Sequence, residues 1–306
     1  MRVTNNMLSS QLLLNLNRNT GRMAELQNQL STGRQINKPS DNPVGITYAL
    51  RYRSELAYNE QYQKNVDSAV SWLDFNDTVL NQAGDIMQRL RELTVQASNG
   101  SNPQSALDSI REEVLQLQGQ LIDVANSKLN GKYVFNGQQY DKKPYDMPPN
   151  ADGTVNTTLA AAIETDNGTV DYVVGEDIQL PVNISGNTVF GTPGASDNLF
   201  AVMGRITSAL QSGNYGALSN ELASIDSRQE GLLKIRAESG ARSNRIDLMQ
   251  NRLADLGINL TELQSKTEDA DYAGLLMKSK IQENIYNASL SVGAKIISPS
   301  LMDFLR

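Results

Sequence analysis

Two segments at opposite ends of the chain carry the same apolar rhythm, and neither contains the partner that such a rhythm needs. In the first, Leu12, Leu16, Asn19, Met23, Leu26 and Leu30 follow at steps of four and three. In the last, Ile246, Met249, Leu253, Leu256, Leu260, Leu263, Thr267, Ala270, Gly274, Met277, Ile281, Asn284 and Ala288 keep the same steps. This spacing lines a helix with one narrow seam, and a second helix must cover it. The two ends therefore read as halves of one object, which suits a structural part better than a catalyst.

Composition limits the core that such a chain can build. It has 306 residues, 39% of them hydrophobic, with one Trp, 11 Tyr and five Phe. That content supports folding but fits a thick single globule poorly. A narrow seam of Leu, Ile, Met and Ala along elongated helices fits it better. There is no Cys and no His. Disulfides, thiolate nucleophiles, imidazole bases and the usual zinc sites are thereby excluded, because each needs a sulfur or an imidazole. Absence of Cys also suits a protein that passes unfolded through a channel without forming disulfides.

The N-terminal stretch is studded with Gln, Asn and Arg, which a secretory apolar region does not tolerate. No apolar run approaches the length of a membrane span. The expectation is a soluble chain with no membrane partner and no cleavable general-secretory signal. Net charge is -7 but uneven: residues 1–38 hold 5 basic and 1 acidic side chains, residues 130–200 hold 3 and 9. Arg2, Arg18, Arg22, Arg34 and Lys38 are dispersed without interleaved aromatics, so no nucleic-acid partner is expected.

Capping residues divide the chain. A helix over 5–32 should stop at Gly33, a natural left-handed residue after a helix. Pro39 and Pro43 then forbid a continuous helix, while Asn42 as N-cap with Pro43 at the first helical position starts another. Pro39, Asn42 and Pro43 are thus expected to form a hinge or boundary. Residues 44–97 lack proline, and Val66, Ala69, Leu73, Asn76, Leu80, Ala83, Met87, Leu90, Thr94 and Ala97 continue the seam. As one helix this segment is about 80 Å long. Asn102 and Pro103 repeat the cap-then-proline signature. Leu107, Ile110, Val114, Leu117, Leu121 and Val124 then read as an antiparallel return.

After Gly131 the pattern changes. Tyr133-Val134-Phe135, residues 170–174, residues 178–182 and Thr188-Val189-Phe190 are short β-prone runs between turn sequences. They suggest a small β-rich domain over 136–195. Helical signal returns near Asn198, with a break or loosened packing expected between 235 and 246, where Ser239 and Arg242 fall on the seam beside Gly240.

Few residues argue for chemistry. Glu112-Glu113 and Glu268-Asp269-Ala270-Asp271 could in principle bind a metal or serve acid-base work. Adjacent helical residues diverge, however, so the first pair reads as a solvated face. Ser265 with Glu268 matches a capping box, so the second group reads as a helix start or kink. Phosphate-loop, dinucleotide and nucleophile-elbow motifs are absent from the sequence. The sequon Asn183-Ile184-Ser185 is expected by chance in an Asn-rich chain. No cofactor, no metal and no enzymatic activity are expected.

Particular motifs carry a resemblance. The opening Met-Arg-Val-Thr-Asn-Asn-Met and the run Gln29-Leu30-Ser31-Thr32-Gly33-Arg34-Gln35-Ile36-Asn37-Lys38-Pro39-Ser40-Asp41-Asn42-Pro43 resemble the start of bacterial flagellin-type proteins. Within that family, Pro-Ser-Asp-x-Pro looks most like the hook-filament junction proteins. Gly131-Lys132-Tyr133-Val134-Phe135-Asn136-Gly137, Glu268-Asp269-Ala270-Asp271-Tyr272-Ala273 and the ending Ser300-Leu301-Met302-Asp303-Phe304-Leu305 are similar to motifs of the same group. About 140 N-terminal and 100 C-terminal residues are covered, and the β-rich segment is unmatched.

The resemblance implies a mainly α fold with an inserted small β-rich domain: an elongated flagellin-like rod of long antiparallel helices, its termini paired at one end. The implied domains are 1–42 with 264–306, a terminal coiled coil; 43–135 with 196–263, a helical rod; and 136–195, an outer domain. It further implies type III export, secretion, and a ring of subunits between hook-associated protein 1 and the flagellin filament. A cytoplasmic export chaperone would hold Leu275, Met277, Ile281 and Ile285. Leu12, Leu16, Met23, Leu26 and Leu30 are expected to pack on Met277, Ile281, Ile285 and Ala288, within and between subunits. Without neighbours these ends should be disordered, because they bury too little to offset ordering entropy. A short flagellin, and a coiled-coil enzyme or binding module with its site in 136–195, are the rival readings.

Overall fold

The structure, a computed structural model, describes residues 5–151 and 153–297. The Met1-Arg2-Val3-Thr4 part of the opening motif and the Ser300–Leu305 ending lie outside the described residues. The order of elements is α1 (Asn5–Thr32), α2 (Pro43–Ser98), α3 (Gln104–Ala125), β1 (Lys128–Leu129), β2 (Lys132–Tyr133), α4 (Thr157–Ala162), β3 (Asp171–Gly175), β4 (Ile178–Pro181), α5 (Gly186–Phe190), α6 (Leu199–Ser212), α7 (Tyr215–Glu268) and α8 (Tyr272–Ile297). The fold is mainly α with a small inserted region of paired strands. Its contacts divide the chain into two units, residues 60–254 and residues 1–59 with 255–306.

The long uninterrupted helix expected over 44–97 is present as α2, and in the unit 60–254 all ten seam residues from Val66 to Ala97 are buried. The six α3 seam residues are buried as well. Each large apolar side chain among them contributes about 1.5–3 kcal/mol relative to exposure. Cross-links between α2 and α7 fix their direction. Arg91 reaches Asp226, Gln88 meets Gln229, Asp77 meets Arg236, Asp67 meets Gln250, and Gln63 donates to the Leu253 carbonyl. Numbers fall along α7 as they rise along α2, so the helices are antiparallel.

Two local expectations are corrected. Helix α7 runs without interruption through 235–246. Gly240 costs about 1 kcal/mol against Ala, but Ile235, Ser239 and Ile246 on one face are all buried and hold the helix. Asn102 does not cap α3. Its side-chain amide donates instead to the Gln96 and Asn99 carbonyls, closing the C-terminal end of α2.

The inserted region is less strand-like than its sequence suggests. The antiparallel pair β3–β4 forms on the expected runs 170–174 and 178–182, whereas of Tyr133-Val134-Phe135 only Tyr133 is in a strand, in the short pair β1–β2 that precedes the insert. Thr188-Val189-Phe190, however, lie in the short helix α5, capped by Ser185. Much of the backbone here is satisfied by asparagine side chains. Asn187 accepts the Thr165 N–H and donates to its carbonyl. Asn183 does the same between Val170 and Gly168, and Asn126 pairs with both backbone groups of Tyr145. An amide side chain offers one donor and one acceptor, as an adjacent strand would, so a ladder is not needed. Beneath these loops Phe190 packs on Phe135, Tyr145 and Phe200 at ring distances of 5.2, 5.8 and 5.7 Å. Burial there raises the Tyr145 phenol above its ordinary range.

Candidate assembly surface

In the unit formed by residues 1–59 and 255–306, α1 ends at Gly33, whose φ of +69° is the left-handed value expected there. The turn that follows is built by the Pro-Ser-Asp-x-Pro run. The Asp41 carboxylate accepts the backbone N–H of Lys38 at 2.8 Å and of Asn37 at 3.0 Å. Those two bonds, Lys38 first, hold its carboxyl below the ordinary aspartate value. Asn42 then caps α2 by accepting the Gly45 N–H at 2.9 Å, with Pro43 as first helical residue. Ile36 is buried against this first turn. Pro39, Asn42 and Pro43 thus sit in a hydrogen-bonded turn between two helices.

At the other end of the chain, α7 stops at Glu268 and α8 begins at Tyr272. The capping-box reading of Ser265 with Glu268 is overturned. Ser265 donates to Asp269, and Asp271 caps α8 by accepting the Gly274 N–H. Glu268 is 1% exposed, and its carboxylate receives Arg53 Nε at 2.7 Å and Nη2 at 2.6 Å. Arg34 Nε lies 3.5 Å away. The bond to Glu268 raises the Arg53 guanidinium further above its already high value. Sequence reasoning missed this site because its members are far apart in sequence.

Helices α1 and α8 pack on each other in this unit, with Asn19 accepting from Gln282 and Leu12 beside Gly293. Leu12, Leu16, Met23, Leu26 and Leu30 are each partly covered. The α8 side differs from expectation. Its inward face carries Leu275, Ser279, Gln282, Tyr286, Ser289 and Gly293. Met277 (66% exposed), Ile281 (52%), Ile285 (43%) and Ala288 point to solvent. The departure begins within α7, where the seam residues Leu256 and Leu263 are already 44% and 43% exposed while Leu260 is buried. Leu275 is therefore separated from the other three residues expected to hold a chaperone. Leu13 and Leu14 of α1 are also exposed, at 60% and 57%.

Other candidates offer less. Among the described residues, no group of three or more acidic side chains is placed to hold a metal ion. No helix among them is long and apolar enough to cross a membrane. The Asn183 sequon amide is buried and bonded on both sides. A cleft of about 630 Å³ is lined by Thr157, Gly204, Arg205, Ser208 and Glu221. Its charges are already satisfied, since Arg205 grips Glu221 at 2.7 and 2.8 Å.

Residues 3–140 match the bacterial flagellin N-terminal helical region. Flagellar hook-associated protein 3 of Salmonella typhimurium is 25% identical, with 100% of both chains covered. A flagellin of Bacillus subtilis is 26% identical over 89% of this chain and 88% of its own. The crystal structure of flagellar hook-associated protein 3 from Legionella pneumophila, 18% identical, superposes with a TM-score of 0.60, covering 71% of this chain and 98% of the other. By sequence along its whole length and by fold, the chain is similar to the flagellin-type proteins, and within them to hook-associated protein 3.

Proposed function

We propose that the chain is a structural, non-catalytic adaptor of the bacterial flagellum at the junction of hook and filament. The observation that carries this reading is the outward apolar row Met277, Ile281, Ile285 on α8, together with exposed Leu13 and Leu14 on α1. Soluble single chains rarely leave such rows uncovered, and helices of neighbouring subunits are their natural cover. Whole-length similarity to hook-associated protein 3 supports the location. In this reading subunits form a ring through α1 and α8, between hook-associated protein 1 and flagellin. Before export the same α8 row, at Met277, Ile281 and Ile285, is covered by a cytoplasmic chaperone. The domains are residues 1–42 with 264–306, 43–135 with 196–263, and 136–195, turning at Pro39 to Pro43. Alone, the helical tips of α1 and α8 are loosely held.

Cells lacking the gene test the proposal directly. They should build hooks, shed flagellin monomer into the medium, and recover filaments when the gene is restored. Filaments of normal length in the deletion strain would refute it. Similarity to Bacillus subtilis flagellin favours one second reading, a short filament subunit. Seeding purified chain with filament fragments separates the two: a flagellin grows long filaments, whereas an adaptor stops at a short cap.

A further inference from the structure

Three segments from distant parts of the chain converge on one carboxylate. Glu268 ends α7, Arg53 comes from α2, 215 positions away, and Arg34 comes from the connection after α1. Around them the backbone is tied twice. The Gln35 N–H donates to the Glu268 carbonyl at 2.7 Å, and the Ala270 N–H donates to the Gly33 carbonyl at 3.0 Å. Arg34 and Asp269 thereby form an isolated antiparallel bridge. A buried carboxylate without its partners is strongly disfavoured. The charge can therefore stay in place when the arginine fork and the bridge form with it.

We infer that Glu268 is a positioning residue, a latch that makes the turn after α1 and the break before α8 form or open together. Helix α1 ends two residues before Arg34, and α8 starts four residues after Glu268. The latch thus fixes the root from which both helices leave, and with it the direction of their outward apolar rows. This rests on the reading of α1 and α8 as the assembly surface.

Hydrogen exchange on the full chain tests the latch at the amides of Gln35 and Ala270. In Glu268→Gln and in Arg53→Ala both amides should accelerate together, on the order of 10- to 100-fold. Leu218, whose amide is bonded to Asn214 in the other unit, should keep its wild-type rate. Arg53→Lys keeps the charge without the fork, and should accelerate the same two amides by less. It serves as the test if the stronger variants also loosen Leu218. Acceleration at one amide alone, at neither, or unprotected exchange of both in the wild type would overturn the latch. Capping of flagellin filament ends gives the second reading. If wild type caps and Glu268→Gln caps equally well, the latch does not position the surface. If wild type itself fails to cap, the functional proposal falls, while the exchange result still judges the latch.

Discussion

Ile36 lies so close to the first turn of α2 that a Cβ on Gly45 would stand 2.5 Å from its Cδ1 and 2.8 Å from the Asn42 amide. Both neighbours are fixed, Ile36 by burial and Asn42 by its cap to the Gly45 N–H. Gly45→Ala should therefore destabilise its unit by about 1–3 kcal/mol, as overpacking does, although alanine is otherwise the better helix former. Chemical denaturation comparing the variant with wild type checks this. A gain in stability would show that Ile36 moves aside.

Asp41 supplies a pH dependence whose sign is set by its two backbone bonds. Its folded carboxyl titrates below the ordinary 3.8 because Lys38 and Asn37 donate to the charged form. The contribution is fully present above the unfolded value and disappears as pH falls through the lower folded value. Amide protection of Asn37 and Lys38 should thus survive at pH 5 to 7 and vanish in stronger acid. Asp41→Asn should show weaker protection with no such transition. NMR titration of those two amides decides the matter.

Asn187 stands in for a strand beside Thr165, and both residues are buried. Asn187→Ala leaves the Thr165 N–H and carbonyl without their partner, at about 1–3 kcal/mol. Asn187→Asp keeps the acceptor but loses the donor and buries a charge, so it should be the worse of the two at neutral pH. Thermal unfolding of both variants measures the order.

The two faces of α8 should respond oppositely to substitution. Exposed Met277, Ile281 and Ile285, each changed to Ser, should move the stability of the free chain by about 0.5 kcal/mol or less while abolishing filament capping. Leu275→Ala on the covered face should cost about 2 kcal/mol or more. Seeded capping assays beside calorimetry separate these effects. Equal losses of stability on both faces would contradict the orientation of α8.

Removal of one ring tests the aromatic cluster. Phe190 touches three other aromatic rings and is fully buried. Phe190→Ala should cost about 3–5 kcal/mol through lost burial and the cavity left behind, measured on the unit 60–254 within the full chain.

The end of α1 and the start of α2 were the legible termini, while the caps read at Asn102 and Ser265 were not. Gly33, Asn42 and Pro43 act through their own backbone preferences, so a few adjacent residues announce them. The seams of α2 and α3 were legible for a related reason: an unbroken helix keeps its phase, and residues about seven or eleven apart still report the same face. From late α7 onward, where Leu256 and Leu263 are already exposed, that reading slipped by a position and turned Met277, Ile281 and Ile285 the wrong way. In the insert, Thr188-Val189-Phe190 look like a strand by composition, yet Asn187 and Ser185 divert the backbone into a short helix. Glu268 and its arginines could not be read at all, because pairing over 215 positions leaves no local trace.

The antiparallel rungs between α2 and α7 also have a mechanical side. From Gln63 with Leu253 to Arg91 with Asp226, they link two rods lying side by side. Tension along the rods that slides one past the other loads every rung at once, together with the interlocked apolar side chains between them. Only a pull that spreads the rods from one end meets the rungs singly. Two rods linked in this way are stiff in the first direction and weak in the second.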